Sequence, residues 1–218
     1  MKTLRITILI TLASLVLCSC KRHELDGSGN IVTQDRALDD FENVVIKSVI
    51  KTNVTYGTDF SVVVRTDAVA INKVHTHVSN NTLVIDLDEH YNYHHISFEV
   101  DVIMPSISRL EHQGVSDSKL SGFYGLGTLD VLHDGVGALR VSGSSSQFNV
   151  THTGVGDLHA YDLSTDSCHA DLNGVGNIEL TVSDLLEGHL TGVGNIYFSG
   201  SPTVNVIDTG VGSVIQVN

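Results

Sequence analysis

The sequence predicts an all-β solenoid, and three observations carry that prediction. A glycine-centred signature recurs six times in the second half, as Gly114-Val115-Ser116 and then as Gly-Val-Gly starting at Gly135, Gly154, Gly174, Gly192 and Gly210, with offsets of 21, 19, 20, 18 and 18 residues. A period near 20 marks a supersecondary unit that stacks on copies of itself. On both sides of each glycine, apolar and polar residues alternate with the period of two that belongs to strands. No stretch carries a convincing helical pattern, and the apolar runs are short and bounded by turn clusters.

In chain order, residues 1–19 read as a targeting segment: Lys2 and Arg5 supply a positive start, and Ile6 to Val16 form an apolar run too short to span a bilayer comfortably. Leu17-Cys18-Ser19-Cys20 resembles a bacterial lipobox. The resemblance implies cleavage before Cys20 and acylation of its thiol, hence a domain anchored by lipid. Removing 1–19 takes two of the 12 Lys+Arg and none of the 25 Asp+Glu, leaving a formal charge of −15 with His neutral. That balance repels phosphate backbones, so nucleic acid is not an expected partner. With Cys18 removed and Cys20 acylated, Cys168 is a lone thiol and cannot form an intramolecular bridge.

Residues 20–38 are polar, with Gly27, Ser28 and Gly29, and read as a flexible tether; the single domain then runs over 39–218. Short strand-like runs follow, through Val45 and Val54, Val62 and Val64, then Leu83, Ile85 and Leu87, then Phe98, Val100 and Val102. Tyr56-Gly57-Thr58-Asp59 and Ser79-Asn80-Asn81 supply turns, and Pro105 ends the last run because it cannot donate to a ladder.

Aligned on their first glycine, the repeats show two apolar columns after it: Ser118, Leu139, Leu158, Ile178, Ile196 and Val214 four residues on, and Leu120, Val141, Ala160, Leu180, Phe198 and Gln216 six on. Two more precede it, Leu129, Phe148, Cys168, Leu186 and Val204 six back and Val131, Val150, Ala170 and Val206 four back. Stacked levels would pair in parallel and bury these columns, each Leu, Ile, Val or Phe contributing about 1.5 to 3 kcal/mol before entropy. The corner residues Gly114, Gly135, Gly137, Gly154, Gly156, Gly174, Gly176, Gly192, Gly194, Gly210 and Gly212 answer a need for positive φ or close backbone approach. The valine between them is expected to face inward and plug the corner.

The strand ending at Ile103-Met104-Pro105, the stretch Leu110-Glu111-His112-Gln113-Gly114, and the Gly-Val-Gly-Asn-Ile runs at Gly174 and Gly192 resemble the autotransporter adhesin head GIN domain family over residues 40 to 218. The resemblance implies a right-handed parallel β-helix, common on envelope lipoproteins of the Bacteroidetes type, and no catalytic residue.

Three constellations are candidates for chemistry. His112, His133 and His152 each precede a repeat glycine by two, so they stack on consecutive levels and could bind zinc or copper; their inward parity and the continuation as Leu172, Leu190 and Asp208 favour packing. On the solvent side, His169 and Asp171 align with Glu187 and His189 on the next level, a metal-ligand set or a cross-strand charge pairing, the latter favoured. Asp88 to His95, rich in His, Tyr and acids, reads as a solvated hairpin tip whose tyrosines could serve recognition. No cofactor is expected.

The function expected is a non-catalytic, lipid-anchored module of the outer membrane, adhesin-like, meeting an unknown protein or glycan. The alternatives are a binder of a small ligand or divalent metal and, less so, a carbohydrate-active enzyme. Outward acids such as Glu111, Asp130 and Asp171 are scattered without an accompanying cluster of Arg and Lys to stabilise developing charge, and no Ser-His-Asp, G-x-S-x-G or P-loop pattern is present. A last repeat strand reaching Val217-Asn218 leads to the expectation of an unprotected edge and self-association through that end.

Overall fold

The computed structural model describes residues 22–217. The expected signal segment and the lipidation residue Cys20 lie outside the described residues. Every regular element is a strand apart from one 3₁₀ turn at Ile71–Lys73, so the fold is all-β. In chain order the strands are β1 (His23–Asp26), β2 (Ile31–Arg36), β3 (Asn43–Ile46), β4 (Lys51–Tyr56), β5 (Ser61–Asp67), β6 (Val74–Ser79), β7 (Thr82–Leu87), β8 (Tyr91–His94) and β9 (Glu99–Met104). The repeat region supplies β10 (Arg109–His112), β11 (Ser118–His133), β12 (Leu139–His152), β13 (Leu158–Leu172), β14 (Ile178–Leu190), β15 (Ile196–Ser199), β16 (Thr203–Asp208) and β17 (Val214–Gln216). Fifteen strands join one sheet, and β1 pairs with β8 in a second.

The sequence repeat is also the register of pairing. Ser118, Leu139, Leu158, Ile178, Ile196 and Val214 are successive parallel partners, as are Leu129, Phe148, Cys168, Leu186 and Val204. Differences in repeat length are absorbed where registers shift, between Leu120 and Phe123 and again between Ala160 and Ser164, away from the glycine corners. The parallel ladders continue below the first repeat: β3 lies between β10 and β7, and β4 between β11 and β9. Antiparallel strands close that end, with β6 on β7, β5 on β9, and β2 on β5.

Alternation decides what the ladders bury. Leu129, Leu139, Phe148, Leu158, Ile178, Leu186 and Ile196 are fully buried, while Lys119 and Arg140 between the columns are exposed. At the corners the levels touch through bare backbone. A Cβ on Gly174 would lie inside the van der Waals radius of the Gly154 carbonyl oxygen, and Gly176 combines a φ of +139° with the same conflict against Gly156.

Four expectations are corrected. The corner valines face outward: Val115, Val136, Val155, Val175, Val193 and Val211 are 46% to 68% exposed and bridge one another in parallel. Counting by two from the buried residues four and two before each glycine puts the glycine itself inward and the next residue outward, so the plugged corner contradicted the alternation. The tether is ordered through residues 23–36, because β1 pairs in parallel with β8 and β2 in antiparallel with β5. Residues 91–94 are accordingly a strand rather than a hairpin tip. In the last level Val204 and Gln216 are exposed and Val206 and Val214 half-buried, since β16 and β17 have a neighbour on one side among the described residues.

Candidate functional site

Four places gather polar or reactive side chains. The first is the histidine column. His112, His133 and His152 are completely buried, their rings 5.1 Å and 4.6 Å apart, the second pair within 9° of parallel. His152 Nδ1 lies 3.2 Å from the His133 carbonyl, whereas both nitrogens of His112 and His133 and Nε2 of His152 lack a hydrogen-bond partner. Burial, reinforced by its two neighbours, pushes His133 down to about 3, and burial lowers His112 as well. Imidazole lone pairs lie in the ring plane, so rings stacked nearly parallel do not aim them at one ion. The column packs as stacked aromatic discs, with burial disfavouring the charged form of His112 and His133.

The second is the square on the outer face of β13 and β14. His169 pairs in register with Glu187, and Asp171 with His189. Asp171 is shared: Oδ2 lies 3.2 Å from His169 Nε2 and Oδ1 2.9 Å from His189 Nδ1. Glu187 stands 3.6 Å from His169 Nδ1. One donor atom from each of His169, Asp171 and His189 lies within 4.8 Å of the others, so three of the four expected residues meet as a ligand group and Glu187 stands behind them.

The third is the segment around β8, where Asp88, Tyr91, Asn92, Tyr93 and His94 are tied into internal contacts. Tyr93 donates from its hydroxyl to the Asp88 carbonyl at 2.8 Å, and burial raises it to about 12. Lys73 sits 3.9 Å over the Tyr91 ring and 3.6 Å from Asp88. The backbone N–H of His90 donates to the Asp88 carboxylate and holds it below the usual range. His94 meets Glu24, and Asn92 donates to Glu24 at 2.9 Å. These tyrosines serve packing, and their partners on β1 were invisible while that segment read as tether.

The fourth is an open groove of about 640 Å³ that crosses five levels, from Leu126 to Ser201. Ser144, Ser145, Ser146, Ser164, Thr165, Thr181, Ser183 and Ser201 line it, with Leu126 and Val182 between and Asp166 its one carboxylate. Its trace in the sequence is Ser or Thr recurring at the repeat spacing opposite the glycine corner. The valine stripe described above runs along another edge of the same ladders.

A family profile described as "Putative auto-transporter adhesin, head GIN domain" matches residues 40–202. No protein of curated function matches the chain. Among solved structures, a "putative adhesin" from Bacteroides fragilis is 20% identical, with a TM-score of 0.75 over 88% of this chain and 100% of the other. A "putative adhesin" from Parabacteroides merdae follows at 16% identity and a TM-score of 0.53, over 90% of this chain and 100% of that one. A "putative lipid binding protein" from Parabacteroides distasonis has 15% identity and a TM-score of 0.51, over 89% and 100%. At such identities the likeness speaks for the fold alone.

Proposed function

The chain belongs to the auto-transporter adhesin, head GIN domain family, and on that premise we propose that it is a non-catalytic cell-envelope module whose outer surface makes adhesin-type contacts with a protein or glycan. We further propose that its ladders wind as a right-handed parallel β-helix, anchored to the outer membrane by a lipid on Cys20. The winding is supported by three parallel ladders, two of strands and one of valine bridges, that advance together by one repeat per level.

The observation that carries the contact function is the valine stripe. Six valines about half exposed, one per level and about 4.8 Å apart, form a continuous apolar ridge along one edge of the ladders. Such a ridge contributes nothing to the interior, and contact with a partner is what buries it. The hydroxyl groove on another edge of the ladders offers hydrogen bonds with a single carboxylate, Asp166, which suits a neutral glycan. It also lacks the pair of carboxylates that glycoside hydrolysis uses. Association between copies through β16 and β17 is a further part of this reading, supported by the exposure of Val204, Ile207 and Val211 there.

The test is adhesion of intact cells or coated beads displaying the chain, compared with a variant carrying Val155→Lys and Val175→Lys. Loss of adhesion with unchanged folding supports the contact role; equal adhesion removes it. Protease shaving of intact cells separately tests exposure on the surface.

A further inference from the structure

We propose that His169, Asp171 and His189 form a binding site for a divalent transition-metal ion of the zinc class. The three donor atoms already lie within 4.8 Å of one another on one face, and tetrahedral zinc with ligand bonds near 2.0 to 2.1 Å needs donors about 3.3 Å apart. Small side-chain rotations close that gap. Two imidazoles and one carboxylate match Zn²⁺, with Cu²⁺ the tighter competitor by the Irving–Williams order.

Three independent features favour an ion over a simple cross-strand pairing. First, His169 faces a carboxylate from both ring nitrogens, Asp171 at 3.2 Å and Glu187 at 3.6 Å. A neutral imidazole donates from one nitrogen only, so two flanking carboxylates call for either an imidazolium or a cation between one nitrogen and its carboxylate. With a metal on Nε2, Glu187 is placed to accept from Nδ1–H after a slight rotation, which is how carboxylates orient metal-bound histidines. Second, between Val141 and Val217 the sequence contains eight Asp or Glu and neither Lys nor Arg. Among the described residues Asp171 and Glu187 have no Lys or Arg partner, only His169 and His189, which leaves their charge available to a bound cation. Third, the ligands are held by backbone: β13 and β14 pair residue for residue through the site. Gly188 stands between Glu187 and His189 at a φ of +137°, where a Cβ would collide with Ala170. That close approach sets the two strands tightly together where the ligands meet, and few ligand positions need ordering on binding. Three protein ligands leave a fourth position open to water or to a donor from a partner.

Titration of the purified chain with Zn²⁺ in a calorimeter tests this. One ion per chain is expected to bind saturably. His169→Ala and His189→Ala are each expected to weaken it by at least about tenfold, while His94→Ala, in a separate exposed His and carboxylate pair with Glu24, leaves it unchanged. Both substituted side chains are partly exposed on the outer face, so the metal-free melting temperature is expected to stay put; Zn²⁺ should raise it in the wild type and not in the variants. Absence of saturable binding, equal affinity in His169→Ala and His189→Ala, or loss of binding in His94→Ala alone would overturn the assignment.

Discussion

Acid should loosen this protein through its histidine column, and His133 is where the effect can be isolated. In the native state His133 is fully buried, has no hydrogen-bond partner on either nitrogen, and lies between His112 and His152; it is pushed down to about 3. In the unfolded chain it protonates near the ordinary value of about 6.5. As pH falls from 6.5 towards 3, the unfolded state therefore takes up a proton that the native state refuses, and native stability is lost over that window. Between pH 7 and 4.5 the loss from His133 alone is about 2.5 kcal/mol. Asp117 and Asp134 near the column, and the backbone at Ser116 and Gly137, act in the opposite sense, and His112 adds a loss of the same sign. Urea unfolding of the wild type and His133→Leu at both pH values measures it. Leucine occupies the same column at Leu172 and Leu190, so the variant is expected to be as stable as the wild type at pH 7, or more so with two unpartnered nitrogens gone. It should also lose about 2.5 kcal/mol less on acidification. Equal losses in the two proteins would refute the assignment of acid sensitivity to a buried neutral imidazole.

Gly176→Ala meets both a φ of +139° and the Gly156 carbonyl, so a fall in stability of at least about 2 kcal/mol is expected in urea unfolding. Val155→Lys points into solvent and should change stability by less than about 0.5 kcal/mol, whereas an inward valine would make the same change severely destabilising. Cys168 is 1% exposed and its thiol is pushed up by burial, so a disulfide reagent should label it only after denaturation.

The repeat ladder was legible because each level reuses one pattern, so that spacing in sequence became register in space. The buried columns at Leu139, Leu158, Ile178 and Ile196, and the juxtaposition of His169 and Asp171 with Glu187 and His189, followed directly from it. The valines were misread because small apolar residues beside a glycine suggest a plugged corner, although parity placed them outside. β1 and β2 were hidden for a different reason. None of their side chains is fully buried and most are exposed, so they carry little hydrophobic alternation. They are held instead by backbone pairing and by Asp67, which accepts from Ser28 Oγ at 2.8 Å and from the Gly29 backbone N–H at 2.7 Å. Contacts of that kind span 38 or more residues and leave no local trace. The same blindness turned β8 into a loop, since its partner is β1.

Stacking of successive repeats, one parallel level upon the next, is measured most directly by distances between spin labels placed on the valine stripe. With one label on Val115→Cys and the second in turn on Val175→Cys, Val193→Cys and Val211→Cys, backbone separations of roughly 14, 19 and 24 Å are expected, one spacing of about 4.8 Å per added level. Buried Cys168 should not compete for label. Distances that fail to grow in that order, or that grow by unequal jumps, would contradict the parallel stacking.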